Sequence, residues 1–157
     1  MEHREARGRI PVQSRQATVI YNTRAGVAKR EGLRDRLAKI FQQQHVGAEF
    51  HAVGGGQGVA ELVREALRKG TFAVVAAGGD GTVSAVASGL VGSKTPLGVV
   101  PVGTLNHFAK DMHIPLDAEG AVQTIAAGRI RAVDVGEVNG RVFVNNSSLG
   151  LYASFVK

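Results

Sequence analysis

An uncharged stretch, Thr71-Phe-Ala-Val-Val-Ala-Ala77, runs straight into Gly78-Gly-Asp-Gly-Thr82, and this pairing constrains the fold more than any other feature of the chain. Continuous apolar runs of strand length are typical of strands buried on both faces of a parallel sheet. After the glycines, Val83, Val86, Ala87 and Leu90 recur at helical spacing until Gly92. A central strand therefore hands over to a helix through a glycine-rich turn. The ends of such strands are where open α/β sheets hold their ligands.

The flanking segments repeat the alternation. Ala17-Thr-Val-Ile-Tyr21, ended by Asn22, reads as a buried strand, and Leu33, Leu37, Ile40 and Phe41 mark an amphipathic helix within 29–44. A second strand is expected over 48–53. After the break at Gly54-Gly-Gly-Gln-Gly58, a helix carries Val59, Leu62, Val63, Ala66 and Leu67 and closes at Gly70, with Arg68 and Lys69 in its last turn. A strand over 97–101 leads into Val102-Gly-Thr-Leu-Asn-His-Phe108 and a short helix. Asp117 caps a further helix bearing Ala121, Val122, Ile125 and Ala126, which stops at Gly128. Beyond it the period changes: 131–138 and 141–146 are strand-like runs joined by Asn139-Gly140, a strong hairpin signal.

The fold class expected is α/β, a three-layer open and mostly parallel sheet over 16–128 with helices on both faces. Residues 1–15, which mix Arg4, Arg7, Arg9 and Arg15 with Glu2 and Glu5, read as a mobile, solvated leader. Residues 129–157 read as the start of a β-rich second domain, cut short inside sequence that still looks ordered.

Composition removes several chemistries. The chain has no cysteine, so thiol redox chemistry, thiolate metal sites and disulfides are excluded. No run approaches the roughly 18 consecutive apolar residues that a spanning helix needs. The net charge of +6 favours anionic partners. Aromatic residues make up only 5% and are not interleaved with the basic ones, so the stacking platform of a nucleic-acid binder is missing.

The chemistry centres on Gly78 to Thr82. Glycine lets backbone approach an anion closely, and the free N–H groups of a first helical turn favour a phosphate. Thr82 adds a hydroxyl. Asp80 would repel a phosphate directly, so it suits the site if a Mg²⁺ ion or the proton of an acceptor hydroxyl intervenes. The plainer alternative is a glycine turn with Asp80 as a helix cap. The dinucleotide fingerprint G-x-G-x-x-G fails because Ser84 or Val59 stands at the third glycine, and the Walker pattern fails because Ser93 separates Gly92 from Lys94. No G-x-S-x-G elbow or H-E-x-x-H pair occurs, and His107 and His113 read as surface or packing residues.

Gly78-Gly-Asp-Gly-Thr82, then Pro96-Leu-Gly-Val-Val-Pro-Val-Gly-Thr-Leu-Asn-His-Phe-Ala109, then Val133-Asp-Val-Gly-Glu-Val-Asn-Gly140, resembles the diacylglycerol kinase catalytic-domain family, which includes bacterial lipid kinases and sphingosine kinases. The first motif alone is shared with NAD kinases. Gly103-Thr-x-Asn106 points to the lipid-kinase branch. The resemblance implies a two-domain enzyme, its first domain of the NAD kinase and diacylglycerol kinase type. It implies ATP and Mg²⁺ as cofactors, and phosphoryl transfer to a lipid hydroxyl such as that of diacylglycerol. On that resemblance Asn22, Gly26, Gly78, Gly79, Gly81, Thr82, Gly103, Thr104 and Asn106 would bind nucleotide. Asp80 would be the catalytic acid or base and the metal partner.

The chain departs from the usual pattern at Thr23, where proline is common, at Ala85 and Ser88, where Glu and Asn are common, and at His107, where an acidic residue is usual. The expected setting is cytoplasmic, with peripheral contact at the inner membrane surface, a homodimer as a further partner to test for, and no nucleic acid. Little turnover is expected of residues 1–157 alone. The competing readings are an NAD kinase-like enzyme and a nucleotide-binding module without catalysis.

Overall fold

A computed structural model of the chain describes residues 15–23, 32–54 and 58–144. The expected leader up to residue 14, Gly26, and Asn145 and Asn146 at the end of the second hairpin strand lie outside the described residues. Strands β1 (Gln16–Asn22), β2 (Gly47–Val53), β3 (Ala73–Gly78) and β4 (Leu97–Pro101) form one parallel sheet in the order β2-β1-β3-β4. The chain first steps from β1 to β2, then returns past β1 to β3 and on to β4. Right-handed crossovers that travel in opposite directions put their helices on opposite faces.

The packing follows that rule. Helix α1 (Leu33–Gln43), which joins β1 to β2, buries Leu33, Leu37, Ile40 and Phe41 on one face against Ala17, Val19 and Val75. Helices α2 (Val59–Lys69) and α3 (Asp80–Leu90) cover the other face, where Val63, Val83, Val86 and Leu90 pack on Ile20, Val74 and Ala76. The five-residue α4 (His107–Asp111) joins the second face through Phe108 and Ala109. Helix α5 (Ala118–Ala127) returns to the first with Ala121 and Val122. All six residues of β3 are buried, which is why that stretch carries no polar alternation.

The local signals end these elements where their chemistry directs. Gly70 and Gly128 take the left-handed conformation after α2 and α5. The Asp117 carboxylate accepts the Gly120 amide at 2.7 Å at the head of α5. Asn139 and Gly140, with φ of 50° and 73°, turn an antiparallel hairpin between β5 (Gly136–Val138) and β6 (Arg141–Phe143).

The strand expected over 131–138 is shorter than its sequence pattern suggested. Only 136–138 pairs; 129–135 joins no sheet among the described residues, and Ile130, at 73% relative exposure, Val133 and Val135 face solvent. Alternating apolar residues mark a face to be covered, but a strand also needs a neighbour for its N–H and C=O groups. Strand β6 packs on α3, and Val144 adds to the core beneath it.

Candidate active site

The sheet order reverses between β1 and β3, so the crevice of this architecture opens beyond their C-terminal ends. Tyr21 pairs with Ala77, which brings Asn22 to the level of Gly78. Thr23 is tied to the end of β2, its amide donating to the Val53 carbonyl at 3.0 Å and its hydroxyl donating at 3.3 Å. On the other side Gly78 pairs with Pro101, so the loop after β4 rises beside the loop after β3.

These two loops interlock. The Val102 amide donates to the Gly78 carbonyl at 3.2 Å, and Gly103 lies so close to Gly79 that a Cβ on Gly103 would overlap the Gly79 Cα. Only glycine permits that approach. Thr82, buried, occupies the space in which a Gly78 side chain would stand, its Oγ1 2.5 Å from the Cβ position. The turn Gly103-Thr-Leu-Asn106 is closed by its last residue: Asn106 Oδ1 accepts the Gly103 amide at 3.1 Å, and Nδ2 donates to the Gly103 carbonyl at 2.9 Å. Asn106 holds φ 52°, a left-handed conformation that asparagine tolerates better than most residues. Thr104 and Leu105 are exposed at the tip of this turn.

The two helix starts differ. Gly79, extended, precedes α3 without a side-chain cap, and the first intrahelical bond is that of the Val83 amide to the Gly79 carbonyl at 3.1 Å. The amides before Val83 have no carbonyl within the helix. A Cβ at Gly81 would meet nothing within 4 Å, so that face of the first turn is open. The start of α4, by contrast, is filled from within the chain. Asp80 Oδ2 accepts the His107 amide at 3.1 Å and Oδ1 accepts the Phe108 amide at 3.0 Å.

Asp80 therefore caps a helix, but not the one it begins. The alternative in which it closes α3 is not what its hydrogen bonds describe. His107, read from the sequence as a surface or packing residue standing where the family usually has an acid, places its Nδ1 3.5 Å from Asp80 Oδ2, with its ring half-exposed. The signal was its register: His107 opens the helix after β4 as Asp80 opens the helix after β3.

Of the expected site residues, Gly78, Gly79, Asp80, Gly103 and Asn106 are brought together directly, and Thr82 lies under the first loop. Gly81 and Thr104 are on the exposed sides of the two loops, and Asn22 ends the neighbouring strand. Ala85 is half-buried in α3 and Ser88 exposed. A depression of about 310 Å³ lined by Ala38, Phe41, Gln42, His45, Val46 and Phe50 lies where α1 ends and β2 begins, at the opposite end of the sheet from these loops.

A model of the diacylglycerol kinase catalytic domain matches residues 16–138, from the first residue of β1 to the last of β5. The chain belongs to that family. A diacylglycerol kinase of Bacillus subtilis (strain 168) is 36% identical over 137 residues, covering 83% of this chain and 44% of the relative. A diacylglycerol kinase of Staphylococcus aureus (strain JH9) is 35% identical over 140 residues, covering 87% and 44%. The crystal structure of a diacylglycerol kinase from Bacillus anthracis str. Sterne superposes with a TM-score of 0.70 at 22% identity, over 82% of this chain and 45% of that one. That likeness establishes the α/β fold. The chain thus spans less than half the length of the curated relatives it matches. Within the described residues no helix is long and apolar enough to cross a membrane.

Proposed function

We propose that this chain is the nucleotide-binding part of a lipid kinase that transfers a phosphoryl group from Mg-ATP to a hydroxyl of a lipid such as diacylglycerol. The observation that carries the reading is the interlock of the two glycine loops beside an open helix start at the sheet's switch point. Family membership supports the kinase chemistry.

The residues present fit a nucleotide and a divalent ion. The α3 first turn offers unpaired amides on the open Gly81 face, suited to phosphate oxygens. Each Asp80 oxygen accepts one amide and keeps a second lone pair, and the side chain is 22% exposed. A divalent ion held there would neutralise charge on the transferring phosphoryl group. The chain's own work is then positioning. Gly78 to Thr82 seat the phosphates, Gly103, Thr104 and Asn106 form the facing wall, Asn22 binds nucleotide from the end of β1 with Gly26 assigned the same task by the family motif alone, and Asp80 meets the metal or the acceptor's proton.

On this reading 16–128 is the nucleotide domain, and 129–157 opens a β-rich second domain that closes the cleft. Ile130, Val133 and Val135 support that division, being apolar and uncovered. Contact with lipid is peripheral, at a cytoplasmic membrane face.

The test is transfer of labelled phosphate from ATP by the complete protein, offered diacylglycerol and NAD side by side. Labelled lipid without labelled NAD product is expected. Label in NAD alone, or in neither, would refute the assignment. Residues 1–157 should bind ATP but phosphorylate little lipid.

A further inference from the structure

The bonds of Asp80 carry a consequence beyond metal or proton chemistry. Its carboxylate is the head of α3 and at the same time the partner of the first two amides of α4, 27 and 28 residues away. Helix α4 has only five residues, and its cap residue Asn106 makes no side-chain cap bond, being turned back onto Gly103. The amides that Asn106 leaves are the ones Asp80 takes. Removing the carboxylate would leave those donors to water and free the Gly103–Asn106 turn from its only side-chain tie to α3 among the described residues.

We infer that Asp80 is a positioning residue, which acts through α4 to hold the Gly103–Asn106 turn against Gly79 and so keeps the two nucleotide loops as one rigid cradle. The function assigned rests on the nucleotide-binding reading given above, whereas the fastening itself does not. The start of α4 is already neutralised by Asp80, so the open start of α3 is the one left for an incoming anion.

The test compares Asp80→Asn and Asp80→Ala by amide hydrogen exchange at His107 and Phe108, and by ATP titration in EDTA, with no metal present. Asparagine keeps the shape and one acceptor oxygen; alanine keeps neither. Losing one bond and the charge behind the other should speed exchange by about tenfold in Asp80→Asn, and losing both bonds by about a hundredfold in Asp80→Ala. Metal-free ATP affinity should fall in the same order. A residue serving only as metal ligand or base would leave the exchange unchanged, and in either variant the loss of its charge beside the phosphates would raise metal-free ATP affinity.

Unaltered exchange at 107 and 108 in Asp80→Ala would overturn the inference. So would equal exchange in the two variants. Should the alanine variant fail to fold, the asparagine variant alone must show the intermediate exchange rate. If the native chain binds no ATP while the graded exchange holds, the fastening stands and the nucleotide reading fails.

Discussion

Replacing Gly103 with alanine is the sharpest test of the interlocked loops. The backbone at Gly103 does not have a positive φ, so alanine has no conformational objection to it. The cost is contact: the new Cβ would overlap the Gly79 Cα and lie 2.9 Å from both the Gly79 nitrogen and Asn106 Oδ1. Two of these three neighbours are main-chain atoms at the junction of β3 and α3, which has core on both sides.

Either the loops stay and are overpacked, at about 1–3 kcal/mol, or they part. Parting breaks the Val102–Gly78 bond and strains the two bonds of Asp80, each charge-assisted and worth about 1.5–3 kcal/mol. The cheaper route is the first, so a loss of about 2 kcal/mol is expected, or roughly 8 °C in melting temperature for a domain of this size. Gly81→Ala is the control, since nothing lies within 4 Å of its Cβ and it sits in a helix. That change should hold or raise stability by about 0.5 kcal/mol. Calorimetric and urea melts of both variants decide the matter. If Gly103→Ala melts within a degree of the native chain, or both variants shift in the same direction, the account of the interlock is wrong.

Asn106→Ala removes two hydrogen bonds to Gly103 and asks alanine to hold φ 52°, so urea unfolding should show a loss of about 2–3 kcal/mol. Asn106→Gly, which relieves the dihedral and not the bonds, should fall between alanine and the native residue. At the far side of α2, a side-chain hydrogen bond and the charge of Lys69 hold the Glu65 carboxyl below its ordinary range. The pair therefore helps the fold above the unfolded carboxyl's pKa of about 4.3, and its help fades as pH falls through the lower folded value. Melting curves of Glu65→Gln and the native chain should accordingly converge on acidification, and a gap that widens would refute the assignment.

Local signals were legible wherever one residue decides the outcome. Gly70, Gly128, Asp117 and Asn139-Gly140 end, cap or turn their segments as their side chains require. The apolar stripe at Leu33, Leu37, Ile40 and Phe41 is buried as the periodicity demands. The stretch 131–135 was misread as strand because apolar alternation reports a face and says nothing of a backbone partner. At the site, residue types identified the glycine loops, since close approach to backbone or anion needs glycine. The partners of Asp80 could not be read, because the amides of His107 and Phe108 reach it only after β3 and β4 pair. His107 is exposed, as a surface residue should be, but its approach to Asp80 depends on the same pairing.

The meeting of Gly79 with Gly103 also bears on how such sequences can drift. The two positions stand 24 residues apart, yet two bare α-carbons face each other with no room for a methyl group on the later one. A substitution at Gly103 cannot be accommodated by trimming its neighbour, which is already as small as an amino acid can be. In related chains of this architecture, variation at the later position should appear only where one of the loops has changed length or course.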